Sequence, residues 1–414
     1  MARQARRLGV WLDGLHVADL EQRRWPELRC RYTDAALERW PLNSPLLSCS
    51  LPLGPRPLDA LAFCKGLLPE GQALQMLAAS AGVAVNATFE LLARYGRDVA
   101  GALVIAEEEP AERRFGVEPY SEETLAAAVA EVDEFPLGAH DDSELSLPGL
   151  QDKLLLVELE GGGWGRPVGG RPSTHILKVD DPRYPGLVAA EALCLELARA
   201  AGLTAPASEL MLVGETPCLL VSRFDRETDG DVRRVHQEDL CQALGIDPEG
   251  ARGRAKYERA GGPSLRAAAD LLDTYALDAA AELDRLAAAV TFTVLIGNAD
   301  AHGKNLALLH STAENVALAP LYDTVPTALW PKLRGEAAMA IGGQVSLADV
   351  TVEDILREAR AWSHPTGRAR EVALATTAAI VDAIDAEAIP PDSDVARYVS
   401  ERAARLLSTE AGGR

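Results

Sequence analysis

The stretch from Ala287 to Leu309 sets the terms on which this chain can fold. Residues 287–296 are almost wholly apolar, then comes Asn298-Ala-Asp-Ala-His-Gly-Lys-Asn305, and then the apolar run 306–309. A helix that is apolar all round must be buried. The polar octapeptide is therefore delivered between the end of a core helix and the start of a buried strand. A polar helix C-terminus with Asn298 as its cap would account for one or two of these residues. It does not account for Asp, His, Lys and Asn together on one short loop.

Around this segment the patterning divides the 414 residues into three parts. Residues 10–20 read as a hairpin turning at Asp13-Gly14. Irregular, Pro-rich sequence covers 41–57, and helices are expected at 58–68, 71–81 and 89–95, with a strand at 101–105. The acidic stretch 107–123, with Pro110 and Pro119, reads as a boundary, and a second acidic stretch covers 133–144. Strands follow at 154–159 and 175–179, joined by a Gly-rich turn at 161–170, then a helix at 187–201 and strands at 210–213 and 218–222. Beyond Arg226 the chain turns helical, with helices expected at 238–244, 265–275, 279–295, 352–361, 368–384 and 394–407. The predicted class is α+β: a small N-terminal α/β module (1–108), a mainly β lobe (109–226) and a mainly helical lobe (227–414). That is the outline of a two-lobed, protein-kinase-like fold, in which nucleotide binds between lobes.

Charge narrows the function classes. With 62 acidic against 41 basic residues the formal charge is −21, a field that repels phosphate backbones. Direct nucleic-acid binding is disfavoured, a basic partner protein is favoured, and any ATP site must gather positive charge locally. Six cysteines stand at 30, 49, 64, 194, 218 and 241 without a C-x-x-C pair, which predicts reduced, buried thiols. No signal peptide and no membrane-spanning segment is expected, so the predicted location is the cytoplasm, with no membrane partner.

Asp300 and Asn305 have the spacing of the catalytic-loop Asp and Asn of protein kinases. There the Asp orients and deprotonates the acceptor hydroxyl, and the Asn carbonyl oxygen binds Mg²⁺. Lys304 is placed to stabilise the transferring phosphoryl group, and Asn298 and His302 complete the candidate catalytic set. Such catalysis is mostly positioning and charge neutralisation, which short side chains on a rigid loop can supply. A second metal ligand is expected across a hairpin, with strands at 306–310 and 316–320, which returns Asp323 towards Asn305. Read by itself, Asp323 is a turn residue. Paired with the Asp300 loop, it becomes the second ligand of an oxygen-only magnesium site.

The nucleotide side is carried by weaker patterns. Lys178 ends an apolar strand, where a lysine either snorkels to the surface or, as in kinases, holds phosphates and pairs with a helix glutamate. Glu191 is the candidate partner. Ser146-Leu-Pro-Gly149-Leu-Gln-Asp-Lys153 is a polar turn whose N–H groups could cradle phosphates, with Gly149, Gln151 and Lys153 as candidate contacts. It matches neither a Walker A motif nor G-x-G-x-x-G. Backbone groups near Ser222 and Phe224 are candidates for the adenine edge, with core packing the other reading of Phe224. Gln237-Glu-Asp239 reads as the cap of a helix beginning near Leu240.

Together these segments resemble the HipA family of bacterial toxin kinases, the enzymatic half of HipBA-type toxin–antitoxin pairs. The matching stretches are Leu67-Leu-Pro-Glu-Gly71, residues 146–153, Ile176-Leu-Lys178, Ser222-Arg-Phe-Asp-Arg226, His236-Gln-Glu-Asp239, Lys256-Tyr-Glu258 with Gly261-Gly-Pro-Ser264, residues 298–305 and Leu321-Tyr-Asp323. They run in family order through most of the chain. The resemblance implies a serine/threonine protein kinase using ATP and Mg²⁺, with Asp300 as base, Asn305 and Asp323 on the metal and Lys178 on the phosphates. Ser146 stands where the family carries an autophosphorylated serine; the other reading is an exposed turn residue. The resemblance also implies a small helix-turn-helix antitoxin (HipB-like), through which alone DNA is bound, and a protein substrate, in some members an aminoacyl-tRNA synthetase. Pro148 and the strong acidity depart mildly from the family pattern. Two other readings compete: a small-molecule phosphotransferase of kinase-like fold, and a catalytically silent co-repressor. The N-terminal module weighs against the first, and the intact Asp300, Asn305, Asp323, Lys153 and Lys178 against the second.

Overall fold

The computed structural model describes residues 6–109, 115–132, 137, 146–147, 151–228, 230–333 and 335–411. Its contacts form two units interleaved in sequence. One comprises Met1–Pro182, Glu209–Pro248 and Leu309–Asn315; the other comprises Arg183–Ser208, Glu249–Leu308 and Val316–Arg414.

The first unit opens with an antiparallel sheet of order β4–β3–β2–β1–β5, built from β1 (Arg6–Leu12), β2 (Leu15–Gln22), β3 (Arg29–Tyr32), β4 (Leu58–Asp59) and β5 (Val104–Ala106). The expected hairpin is β1–β2. Its turn uses consecutive positive φ at Asp13 (49°) and Gly14 (75°), the backbone that a right-twisted two-residue hairpin demands. Helices α1 (Asp34–Arg39), α2 (Leu61–Gly66), α3 (Gly71–Ala81) and α4 (Thr88–Tyr95) belong to the same unit, and its core joins Leu8, Val10, Phe63, Leu77, Phe89 and Tyr95.

A second sheet runs β10–β11–β9–β7–β8–β6. Its strands are β6 (Gly116–Pro119), β7 (Lys153–Glu158), β8 (Trp164–Val168), β9 (His175–Val179), β10 (Ser208–Val213) and β11 (Thr216–Ser222). Alternation along β7 explains its unbroken apolar run. Leu154 and Leu156 pack with Leu177, Leu220 and with Leu125 and Val129 of α5 (Glu122–Ala130), while Leu155 enters the N-terminal core. Two expectations are corrected here. The acidic boundary 107–123 contains β6 and the start of α5, whose entry is a capping box between Ser121 and Thr124. The Gly-rich turn 161–170 contains β8. The acidic stretch 133–144 lies, except for Leu137, outside the described residues.

After the short pair β12 (Arg226–Glu227) and β13 (Arg233–Arg234), the residues Gln237–Asp239 form a strand, β14. The helix expected over 238–244 contracts to α7 (Leu240–Ala243), with Asp239 as N-cap in a capping box with Gln242. All six cysteines are unpaired and buried. Burial pushes the Cys30 thiol up to about 12 and Cys218 to about 11.

The second unit is mainly helical: α6 (Leu187–Ala200), α8 (Gly250–Gly253), α9 (Leu265–Tyr275), α10 (Ala279–Ile296), α11 (Val352–Ala361), α12 (Thr366–Asp385) and α13 (Asp394–Ala411). Asp278 caps α10, which buries Leu286, Val290, Phe292, Val294 and Leu295, and α9, α12 and α13 pack around it. Gly297 ends α10 in the left-handed region (φ 71°). A Cβ there would stand 2.5 Å from the Tyr398 hydroxyl and 2.8 Å from the Ala328 Cβ. The cap is therefore Gly297, and Asn298 is released for another role. The hairpin strands are β15 (Ala307–His310) and β16 (Val316–Leu318), with Ala319 N–H donating to Ala307 O at 2.9 Å. A further hairpin, β17 (Glu336–Ile341) and β18 (Gln344–Ser346), turns at Gly342-Gly343. No helix among the described residues is long and apolar enough to cross a membrane.

Candidate active site

Beyond Gly297 the backbone of residues 298–305 is held by its own side chains. Buried Asn298 acts as a clip: its amide nitrogen donates to Asp323 O at 2.9 Å, and its carbonyl oxygen accepts Asp300 N–H at 3.1 Å. One side chain thus ties together the two segments that carry the candidate acids. Asp300 O accepts His302 N–H at 2.7 Å and the Asn305 amide at 3.0 Å. A backbone carbonyl can only accept, so the Asn305 nitrogen must face it. That orientation leaves the Asn305 carbonyl oxygen as the group offered to a ligand. Gly303 donates to Lys256 O at 3.0 Å, and a Cβ on it would lie 2.5 Å from Pro263 Cγ, so the loop closes tightly only with glycine there.

The side chains follow from this frame. Asp300 is half-buried, and its Oδ1 accepts a hydrogen bond from the Tyr257 hydroxyl at 2.8 Å. His302 is buried and meets Tyr257 edge-on, with ring centroids 5.3 Å apart; its Nδ1 accepts Lys304 N–H at 3.3 Å. Lys304 is buried, and its carbonyl accepts the Tyr322 hydroxyl at 2.6 Å. Asp323 takes positive φ (51°), a conformation that only Gly, Asn and Asp visit readily. Such backbone is held where the surroundings over-determine it, which is common at functional sites. Behind the loop lies a cavity of about 50 Å³, walled by Leu286, Val290, Met339 and Ile341 with Asn298 and His302 on its polar side. Apolar surroundings strengthen the loop's hydrogen bonds.

A magnesium ion fits this donor set. Asn305 and Asp323 offer oxygen only, as a hard cation requires, and the amide orientation of Asn305 is fixed by its nitrogen's partner. Among the described residues no group of three or more His, Cys, Asp or Glu is arranged to hold a metal. Two protein ligands complemented by phosphate oxygens and water is the usual pattern for magnesium on nucleotides.

The remaining candidates lie elsewhere. In the first unit, Lys153 and Lys178 are both buried and directly opposite one another in the β7–β9 register. Gln151 donates to Val179 O at 3.4 Å. The Ser222 hydroxyl lies 3.1 Å from His175 Nε2, and Phe224 is half-buried. Gly149 lies outside the described residues. Glu191 is buried on α6 in the second unit. Ser146 is fully buried: its hydroxyl donates to Leu67 O at 2.9 Å and its N–H to Asp98 O at 2.9 Å, so it is no exposed turn residue.

Ser222-Arg-Phe-Asp-Arg226 holds something its spacing did not reveal. Arg223 grips Asp225 with two bonds (2.9 and 2.7 Å), and Arg226 reaches Asp98 at 2.8 Å. Ser173 adds two bonds to Asp98, and Arg234 approaches it at 3.6 Å. Burial alone would raise the Asp98 and Asp225 carboxyls, but the arginines override it and hold both low. Burial and then the neighbouring Arg223 pull Arg226 down to about 10, still charged at neutral pH. A second buried cluster, nearby in sequence, joins His236, Glu238 and His310. Glu238 accepts from His310 Nε2 (3.1 Å), Cys49 N–H (2.9 Å) and the Ser48 hydroxyl. Burial, and next to it His310, push His236 down to about 3.

Sequence reading gave Tyr257 no role, although it lies in a motif singled out above, and it did not foresee the clip that Asn298 makes. Both depend on partners 25–43 residues away. The cap-breaking Gly297 was the available signal for Asn298.

Comparison with known proteins gives consistent matches. A family model described as the HipA-like C-terminal domain matches residues 145–386, and one described as the HipA N-terminal domain matches 8–106. A protein of Sinorhizobium fredii named "Putative kinase Y4mE" is 37 % identical over 84 % of this chain and 83 % of its own length. The "Serine/threonine-protein kinase toxin HipA" of Shewanella oneidensis is 29 % identical over 86 % of each. Among solved structures, the Shewanella oneidensis HipA, HipB and operator DNA complex contains a chain that superposes with a TM-score of 0.81 at 26 % identity, covering 97 % of this chain and 96 % of that one.

Proposed function

This chain belongs to the HipA family, and from that premise we propose that it is an ATP- and Mg²⁺-dependent serine/threonine protein kinase acting as the toxin of a toxin–antitoxin pair. The observation that carries the reading is the single hydrogen-bonded frame in which Asn298 clips the Asp300 and Asp323 segments together and Asn305 turns its carbonyl oxygen outward. Asp300 orients the acceptor hydroxyl and takes its proton. Lys304 stabilises charge on the transferring phosphoryl group, and His302 supports the loop through its bond from Lys304 N–H. Asn305 and Asp323 are the metal ligands. Bound Mg-ATP supplies the γ-phosphoryl group and neutralises its charge. Lys153 and Lys178 gather the positive charge that a −21 chain must concentrate to hold triphosphate. Gly149 and Gln151 belong to the phosphate turn, and Ser222 and Phe224 to the adenine edge.

The proposed partner is a small, basic helix-turn-helix antitoxin, and contact with DNA runs through it, because the chain's own field repels phosphate backbones. A protein is the phosphate acceptor, an aminoacyl-tRNA synthetase being the class that the family suggests. Ser146 is the proposed site of self-phosphorylation, and its burial means that modification requires the segment to open first.

Transfer of labelled γ-phosphate to protein, with and without Mg²⁺, tests the reading. Asp300→Asn should lower the rate about 10²–10⁴-fold while the thermal midpoint stays in place. Undiminished transfer by folded Asp300→Asn, or by wild type in excess chelator, would refute it.

A further inference from the structure

We propose that Tyr257 is a positioning residue for the phosphoryl-transfer step, holding the Asp300 carboxylate in one orientation through its hydroxyl. The inference rests on the reading of Asp300 as the catalytic base. Its geometric basis is the 2.8 Å bond from the phenol to Asp300 Oδ1 and the edge-on contact of the same ring with His302.

Tyr257 is delivered by a turn with little freedom. Its N–H donates to Arg254 O at 3.0 Å, and its carbonyl accepts from Ala260 (2.9 Å) and Gly262 (3.0 Å). A Cβ on Gly262 would lie 2.4 Å from Ala255 O, so the turn closes only with glycine there. On either side of Tyr257, Lys256 O accepts from Gly303 N–H (3.0 Å) and Glu258 accepts from Ala340 N–H (2.6 Å). The phenol is therefore fixed to the same frame as the loop it serves.

An aspartate's terminal torsion is broad, so an unheld carboxylate samples many orientations. A donor on Oδ1 restricts that torsion and leaves Oδ2 for the acceptor hydroxyl. The chemistry of the donor matters. A lysine or arginine would hold the carboxylate equally well but would neutralise the charge that attracts the proton. A phenol orients without adding a cation, and a bond to an ionised acceptor is among the stronger ones. Near-attack geometry in such a step is sensitive to displacements of about 1 Å.

The test compares wild type, Tyr257→Phe, Tyr257→Leu and Asp300→Asn in steady-state transfer from γ-labelled ATP to a generic protein acceptor. Phe keeps the ring and its contact with His302 and removes only the hydroxyl. Tyr257→Phe should lower kcat roughly 10–30-fold, with KM for ATP within about twofold and the thermal midpoint unchanged. Tyr257→Leu should fall within about threefold of Phe, which assigns the effect to the hydroxyl rather than to the ring. Wild-type kcat in Tyr257→Phe, or a loss appearing in KM instead, would overturn the positioning role even when Asp300→Asn is dead. Activity retained by Asp300→Asn would instead overturn the premise, and the two failures are read from different variants.

Discussion

Two polar clusters in this molecule are bonded in different ways. Around Asp98, Ser173, Arg223, Asp225, Arg226 and Arg234, every charge faces an opposite charge, and the two central arginines are at most 1 % exposed at the side chain. Around Asp300, Asn305 and Asp323, Asn298 and Asn305 bond to the backbone, Asp300 takes a bond from the Tyr257 hydroxyl, and Asp300, Asn305 and Asp323 each stay half-buried. The first cluster spends its charges on one another and on backbone carbonyls. The second fixes orientation through Asn298 and Asn305, and the Asn305 nitrogen on Asp300 O turns its carbonyl oxygen away from that bond. Polar density alone therefore does not mark a site, whereas mutual closure of opposite charges marks a structural cluster.

The contrast breaks most severely if Asp98 is removed. Asp98→Ala would leave three buried arginines with Asp225 as their sole carboxylate in the network, and breaking a buried pair from one side costs about 3–5 kcal/mol. Urea unfolding should show the loss, whereas Asp300→Asn should leave the same curve in place. Equal stability losses in the two variants would erase the distinction.

A smaller effect comes from protons. His236 titrates near 3 in the folded chain against an ordinary 6.5, with His310, Glu238 and Asp225 as its charged or titratable neighbours. The unfolded chain thus binds more protons between these values, and stability must fall as pH drops from about 6.5 towards 3. Glu238, held below its ordinary range despite burial, adds to the loss in the same direction once pH falls below 4.5. Thermal melts should weaken by about 1–3 kcal/mol between pH 7 and 5, and His236→Gln should flatten that slope. A melting curve independent of pH over this window would contradict the burial of a neutral His236.

The smallest effect belongs to the surface. Arg259 and Glu336 meet at 2.7 Å but are 60 % and 57 % exposed. Glu336→Gln should change stability by less than about 1 kcal/mol and should vanish into experimental error at high salt. A larger loss would mean that closure is not what separates structural charges from idle ones.

Much of the fold was legible because its signals are local. Helices α3, α9 and α11 coincide with their expected spans, and β9 does as well. Apolar periodicity, a capping Ser or Thr and a closing Gly act within a few residues. The β17 strand escaped because Glu-Ala-Ala-Met-Ala-Ile is rich in alanine, a poor strand former, and only Gly342-Gly343 announced its turn. At the site, the spacing of Asp300 and Asn305 was legible, but not the bonds that hold the loop. The arginine network was not, since Arg226 and Asp98 are 128 residues apart and nothing in either neighbourhood names the other.

The burial of all six thiols makes this protein its own chemical stopwatch. A thiol reacts as thiolate, and burial removes both the thiolate and access to it. Alkylating reagents and peroxides must therefore wait for the chain to open. Five of the six cysteines lie in the first unit and only Cys194 in the second. Under native conditions the order in which they acquire label reports which unit opens first and how often, without any added probe.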